Sequence, residues 1–453
     1  MIPPAQEMLW EFARSLFPES PGALGVNAAE AVTLLGPLDV PRLRAAIAAI
    51  GARHDALRLV YTDTSDDPSA RYLDDVAVPL TAVDLSGLPP RERAARLGDL
   101  VRGAEDRPFD VLRAPLWEVR LIRLGAAEHV LAVSLCHLIA DGRSAQIVLR
   151  DLGRAYGGEP LPPVPGYSEV LDSPGADAAR ATAYWRDRLR PPADAEVFPW
   201  TDRSASVDTG IELPVRFDFG ERLAAGVRQA ATRHRSTPFL VLLGAYRALL
   251  AARTGRPRVV IGTTTLGRGP RSREVVGQFT TNTYVATTVP DGATLAEVLE
   301  LVRAETVLAL RHAAPYRLIA AAANDDFARQ RPWPQMHLYD VWFQSDLPPL
   351  LPDFAGLEVR PAPPGPPDAG PSPEAVPVPV RPGDARWLAE TRKRVTPWVL
   401  ADAAGTGITV HYGPAFYDRP QVDAWISDYA AVLAALIEDP HRPVHDVLTA
   451  AAA

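Results

Sequence analysis

The chain has 453 residues, 47% of them hydrophobic and 23% charged, with a net charge of −8, one cysteine (Cys136) and nine scattered histidines. That length exceeds one ordinary core and points to two domains. The lack of long charge blocks argues against a nucleic-acid surface, and the cysteine and histidine usage argues against disulfide frameworks and zinc clusters.

The chain opens on PAQEMLWEFARSLF, which reads as an amphipathic helix and lacks the basic and apolar regions of a secretory signal. AAEAVTLLGPL reads as a strand into a turn. DVPRLRAAIAAIGARH has apolar residues at helical spacing with Pro41 in the first turn, and ALRLVYTD is a strand. PRERAARLGDLVRGAEDRPF is a helix. LWEVRLIRLG and EHVLAVSLCHLI form a hairpin split by Gly-Ala-Ala, and GRSAQIVLRDLGRAYGG is a helix ended by glycines. The Pro-Gly stretch GGEPLPPVPGYSEVLDSPGADA is the expected crossing between domains.

Beyond it, GERLAAGVRQAATRHRS and TPFLVLLGAYRALLAARTG are helices. The second of these holds the longest apolar stretch, which carries Arg247 and is too short to span a bilayer. PRVVIGTTTLG and TTNTYVATTV are strands, TLAEVLELVRAETVLALRHAA is a long helix, HLYDVWFQSD and GTGITVHYG are strands, and RPQVDAWISDYAAVLAALIED is a closing helix. Segment 347–384 is rich in proline and reads as an extended loop. The two halves have similar helix and strand content, which allows an internal duplication.

The stretch SLCHLIADG (134–142) carries the most chemistry. With a side-chain period of two, Val133, Leu135 and His137 share one strand face, and Ser134 and Cys136 the other. His137 then emerges at a strand end among apolar neighbours, and Asp141 and Gly142 lead into a helix whose first N–H groups lack intrahelical partners. An imidazole beside such donors suits acyl transfer: it takes a proton from an attacking amine or hydroxyl while an N–H holds the developing oxyanion. By itself the stretch also reads as a hydrogen-bonded core histidine followed by a helix-capping aspartate. Cys136 is poorly placed to be activated by its neighbour His137 and reads as a small buried hydrophobe. His54 reads as a helix-end packing residue and His312 as structural at a helix C-terminus.

CHLIADG resembles the HHxxxDG signature of condensation domains from nonribosomal peptide synthetases, members of the chloramphenicol acetyltransferase-like superfamily. Further motifs of that family are matched in order by PPAQEMLW (3–10), RHDALRLVY (53–61), YWRDRL (184–189), VVIGTTTLGR (259–268), VVGQFTTNT (275–283) and RHAAPYRLI (311–319). The resemblance implies an α+β fold (an α/β sandwich) of two chloramphenicol acetyltransferase-like subdomains, 1–175 and 176–453, set in a V with a central tunnel. It maps the signature's second histidine onto His137, as base or as positioner of the nucleophile. It pairs the signature aspartate, Asp141, with Arg268, and offers the Gly142 N–H to the oxyanion. Cys136 stands where the first signature histidine is expected, a structural position, and the late family motif is not recognisable in RQRPWPQMHL. Gln344 and Asn282 are candidates to line the tunnel; Gln344 reads equally as solvent-facing, and Asn282 as satisfying loop backbone.

The implied activity is a condensation between an acyl thioester on a peptidyl or acyl carrier protein and a carrier-bound or free small-molecule acceptor, giving an amide or ester. No metal or cofactor bound by the chain itself is implied; the phosphopantetheine belongs to the carrier. A cytoplasmic monomer that binds neither nucleic acid nor membrane is expected. A stand-alone enzyme is expected, and a domain excised from a larger synthetase would read identically. Two other functions stay open: a coenzyme A-dependent acyltransferase of the same fold, and a recruitment module that docks carrier proteins or tailoring enzymes.

Overall fold

The structure is a computed structural model that describes residues 6–10, 23–24, 26–65, 68–78, 80–171, 178–190, 197, 213–325, 338–363, 397–414 and 416–449. In chain order its main elements begin with β1 (Asn27–Leu35), α1 (Val40–Arg53), β2 (Leu80–Asp84), α2 (Pro90–Asp106), β3 (Trp117–Gly125), β4 (Glu128–Cys136) and α3 (Gly142–Gly157). There follow α4 (Ala178–Leu189), β5 (Leu213–Asp218), α5 (Gly220–Arg233), α6 (Pro238–Thr254), β6 (Arg258–Thr265), β7 (Thr281–Thr288), α7 (Leu295–Arg311) and α8 (Tyr316–Ala323). The last are β8 (Val341–Ser345), β9 (Glu358–Pro361), β10 (Trp398–Ala401), β11 (Gly407–Tyr412) and α9 (Arg419–Glu438). Residues 6–10 are helical; the rest of the first expected helix, and RQRPWPQMH before Leu338, lie outside the described residues.

Two compact units result. One gathers the described residues of Met1–Ser173, Leu266–Thr280 and Pro349–Val378; the other gathers those of Pro174–Thr265, Thr281–Pro348 and Pro379–Ala453. The expected division ran 1–175 and 176–453, so two later segments sit with the first unit instead of the second.

In the first unit the strand order is β9-β1-β4-β3-β2. β4 lies near the middle of this sheet, antiparallel to β1 and β3. Its continuous apolar run is what a strand covered on both faces requires. One face packs Leu131, Val133 and Leu135 against Leu43, Ile47 and Ile50 of α1 and Ile147, Val148 and Leu152 of α3. The other packs Ile122 and Val130 against Leu97 and Leu100 of α2.

β9 is the edge strand. It lies inside the proline-rich stretch expected to be a loop, and pairs antiparallel with β1 from Glu358↔Leu35 to Pro361↔Val32. An edge position with the proline last is where a strand tolerates a missing N–H. Residues 364–384 of that stretch lie outside the described residues.

The second unit has the order β7-β6-β8-β10-β11-β5, with α5, α6, α7 and α9 over one core and α4 and α8 over a smaller one. α6 is buried all round from Val241 to Ala251, as its uniform apolarity demands. Arg247 inside it donates to Thr287 Oγ1 at 2.6 Å and to Pro257 O at 2.6 Å, and burial pushes its pKa down to about 10. No described helix is long and apolar enough to cross a membrane.

Candidate active site

The site is built where β4 ends. The strand stops at Cys136, so the period-two argument does not reach His137, which begins a turn over 137–139. The turn is tied down by backbone: His137 N donates to Val26 O at 3.0 Å and Ile139 N to Cys136 O at 2.9 Å. Cys136 joins the same apolar cluster as Val133 and Leu135, so alternation does not separate it from them either.

Solvent access singles out the histidine. From Ser134 to Asp141 every residue is buried except His137, which is half-buried. Its Nδ1 is buried without a hydrogen-bond partner among the described residues. The ring nitrogen left to meet a ligand is therefore Nε2. Cys136 is fully buried, and burial pushes its thiol up to about 12. A neutral, sealed thiol is no nucleophile.

Asp141 is the N-cap of α3 and fully buried. Its Oδ1 accepts from Ser144 N at 2.8 Å and from Arg268 Nη2 at 2.6 Å. Its Oδ2 accepts from Phe279 N at 3.2 Å and Thr280 Oγ1 at 3.4 Å. The cap and the ion pair offered by the sequence are thus held by one carboxylate at once.

Arg268 is buried to 6% side-chain exposure. It lies over the Phe279 ring at 4.3 Å and donates through Nη1 to Ser272 O (2.8 Å) and Val275 O (2.7 Å). A planar fork suits these divergent acceptors better than a lysine would.

Gly142 is the first residue of α3 and half-buried. Its N–H, one of the first-turn donors left over by helix geometry, finds no acceptor among the described residues.

Ser144, which no motif marked, is the hub. Its hydroxyl lies 2.8 Å from both Asp141 Oδ1 and Gly277 O, so one proton serves two acceptors. It accepts from Gly277 N at 3.0 Å and Arg268 Nη2 at 2.8 Å. The spacing Asp-x-x-Ser, an N-cap and its third helical residue, was the available signal. Gly277 must be glycine here, since a Cβ would sit 2.2 Å from the Tyr167 ring. Tyr167 in turn donates to Gln278 O at 2.8 Å. Segment 266–280 is thus stitched to the first turn of α3, the helix that follows His137 in the chain.

A second buried carboxylate sits further along α3. Asp151 accepts from Arg53 Nε (3.2 Å) and from Arg150, lies 3.1 Å from His54 Nε2, and Arg150 reaches on to Glu274 at 2.5 Å. His54 caps the C-terminus of α1 and its pKa is lowered, chiefly by burial. His312 caps α7, stacks on Tyr184 at 4.1 Å, and its backbone carbonyl accepts from Trp185 Nε1.

The remaining candidates belong to the second unit. Gln344, on β8, is half-buried and accepts from Trp342 Nε1 at 2.9 Å. Asn282 is no loop residue: it lies within β7, paired with Thr264 of β6, and hydrogen-bonds the buried Tyr284.

The structure therefore gathers His137, Asp141, Gly142 and Arg268 at one helix start and leaves Gln344 and Asn282 on the other unit's sheet.

Comparison with known proteins bears on the family and the fold. The family model described as Condensation domain matches residues 2–331. Phosphinothricin tripeptide synthetase PhsC of Streptomyces viridochromogenes is 29% identical over 78% of the chain. The chain spans 34% of that relative's length, so it corresponds to a part of it. Among solved structures, SgcC5 from Streptomyces globisporus, crystallised with (R)-(-)-1-(2-naphthyl)-1,2-ethanediol and sucrose, superposes with a TM-score of 0.70 at 22% identity, over 92% of this chain and 93% of that one. The X-domain from teicoplanin biosynthesis, also solved as a complex with OxyB, superposes with a TM-score of 0.75 at 21% identity, over 98% and 96%. The fold is accordingly the chloramphenicol acetyltransferase-like α+β fold, and the chain belongs to the condensation-domain family of nonribosomal peptide synthesis.

Proposed function

We propose that the chain is a condensation enzyme. It joins an acyl group, held as a thioester on the phosphopantetheine arm of a carrier domain, to an amine or alcohol. His137 Nε2 takes the proton of the attacking amine or hydroxyl as that atom bonds to the thioester carbonyl carbon. The Gly142 N–H holds the oxyanion. The carbon–sulfur bond then breaks, and the imidazolium returns its proton to the departing thiolate. No metal and no cofactor of the chain's own enter these steps. Holding both reactants together supplies much of the rate.

The observation that carries this reading is the half-buried imidazole inside an otherwise sealed stretch that leads into a helix start whose first N–H finds no acceptor among the described residues. The SgcC5 complex with an aryl diol supports a free alcohol as one form of acceptor. The X-domain likeness and its OxyB complex, with Cys136 in place of the first signature histidine, favour a second reading, a module that recruits a tailoring enzyme.

Intact-mass analysis separates the readings. A carrier protein loaded with candidate acyl groups is incubated with this protein and candidate nucleophiles. Loss of the acyl mass with a matching amide or ester product is expected. Product from acyl-coenzyme A but never from the carrier would show a coenzyme A-dependent acyltransferase. Complex formation with an oxidase and no product from any donor would show recruitment.

A further inference from the structure

The segment that follows β6 turns sharply and is rigid from within. Gly267 adopts φ +58, and a Cβ there would lie 2.0 Å from Phe279 O. Arg268 points into the first unit and fastens Ser272 O and Val275 O. Gly269 N donates to Ser272 Oγ at 2.9 Å, and Ser272 N to Gly269 O at 3.2 Å. Glu274 is engaged by Arg150.

Three side chains of this turn serve none of that. Leu266 is 50% exposed. Arg271 and Arg273 are exposed and make no ion pair among the described residues. On a chain of net charge −8, one internally fastened turn displays two guanidinium groups without an ion pair among the described residues, and a bare leucine. Such preorganisation lowers the entropic cost of association.

We propose that the turn Leu266–Arg273 docks an acidic protein surface, with Arg271 and Arg273 matched to its carboxylates and Leu266 to an apolar spot among them. Resting on the function proposed above, the occupant is the carrier protein. The turn reads the folded carrier, not its phosphopantetheine phosphate.

Arg271→Glu/Arg273→Glu and Leu266→Ala test this, as exposed changes that leave the buried network intact. Two measurements are made for each: carrier affinity by titration calorimetry, and kcat/KM with the acyl group on the carrier, on free phosphopantetheine and on pantetheine. The double reversal should weaken carrier binding and lower kcat/KM for the carrier-bound substrate by about tenfold or more, in line with lost electrostatic steering. Both free thioesters should react as with wild type, and wild-type carrier affinity should fall with added salt while the double variant's does not. Unchanged carrier affinity in the double variant would overturn the proposal. So would an equal loss with free acyl-phosphopantetheine, which would show the phosphate to be what is read. Carrier binding that the reversal abolishes, in a wild-type protein that turns over no thioester, would sink the catalytic reading and leave the docking surface standing.

Discussion

At the scale of residues, environment separates two neighbours that a motif alone places together. Cys136 is sealed with its thiol pushed up to about 12, whereas His137 keeps one nitrogen accessible. Cys136 in the native protein is predicted to resist iodoacetamide at pH 8 and to react fully in denaturant; rapid stoichiometric labelling of folded protein, followed by mass, would contradict its burial. Cys136→Ala should keep turnover, because the thiol touches no reactant. The sequence held His137 and Asp141 plainly, through the spacing of CHLIADG. It held Ser144 less plainly, because a hydroxyl's partners are chosen by the fold. The Asp151 cluster could not be read as a cluster, because Arg53 and His54, Arg150 and Asp151, and Glu274 come from three separate segments.

At the scale of elements, α3 is seated by its apolar face and fastened at its first turn by charge. The Asp141–Arg268 pair is almost wholly buried, and stripping one partner from such a pair leaves an uncompensated charge costing about 3–5 kcal/mol. Asp141→Ala and Arg268→Ala should each lower stability in urea by about that much. The double variant should lose clearly less than the sum, because its second change removes the stranded charge. Strictly additive losses would show that the two do not act as a pair. The β10–β11 pair offers a pH test. His411 stacks on Trp398 at 3.9 Å, its Nε2 buried and without a partner among the described residues, and burial pushes its pKa from 6.5 down to about 4. Between those values the unfolded chain takes up a proton that the folded chain refuses. The stability is full above pH 6.5 and is lost as pH falls towards 4, by up to about 3 kcal/mol. His411→Phe should therefore lose less stability than wild type over that window. Parallel pH profiles from urea melts of the two proteins would contradict the assignment.

At the scale of the whole molecule, most helices and strands were legible as periodicity, but membership in a unit was not. Segment 266–280 follows a strand of the second unit yet packs in the first. Only the placement of Arg268, Gly277 and Phe279 against α3 and Tyr167 decides this. β9 was hidden for a similar reason: four residues beside prolines become a strand because the edge of β1 is there to pair with. Hydrogen exchange checks the division. Peptides covering 275–280 should be protected together with β4 and α3, and Arg268→Ala should expose those peptides while leaving β6 and β7 unchanged; loss of protection confined to β6 and β7 would contradict it. The proposed chemistry rests on His137, and the most direct measurement is the single-turnover rate of acyl transfer from a loaded carrier by wild type and His137→Ala. A loss of roughly 10²–10⁴-fold is expected with an unchanged thermal melt, since the side chain is half-buried and its ring makes no hydrogen bond among the described residues. A His137→Ala protein that transfers the acyl group at the wild-type rate would contradict it.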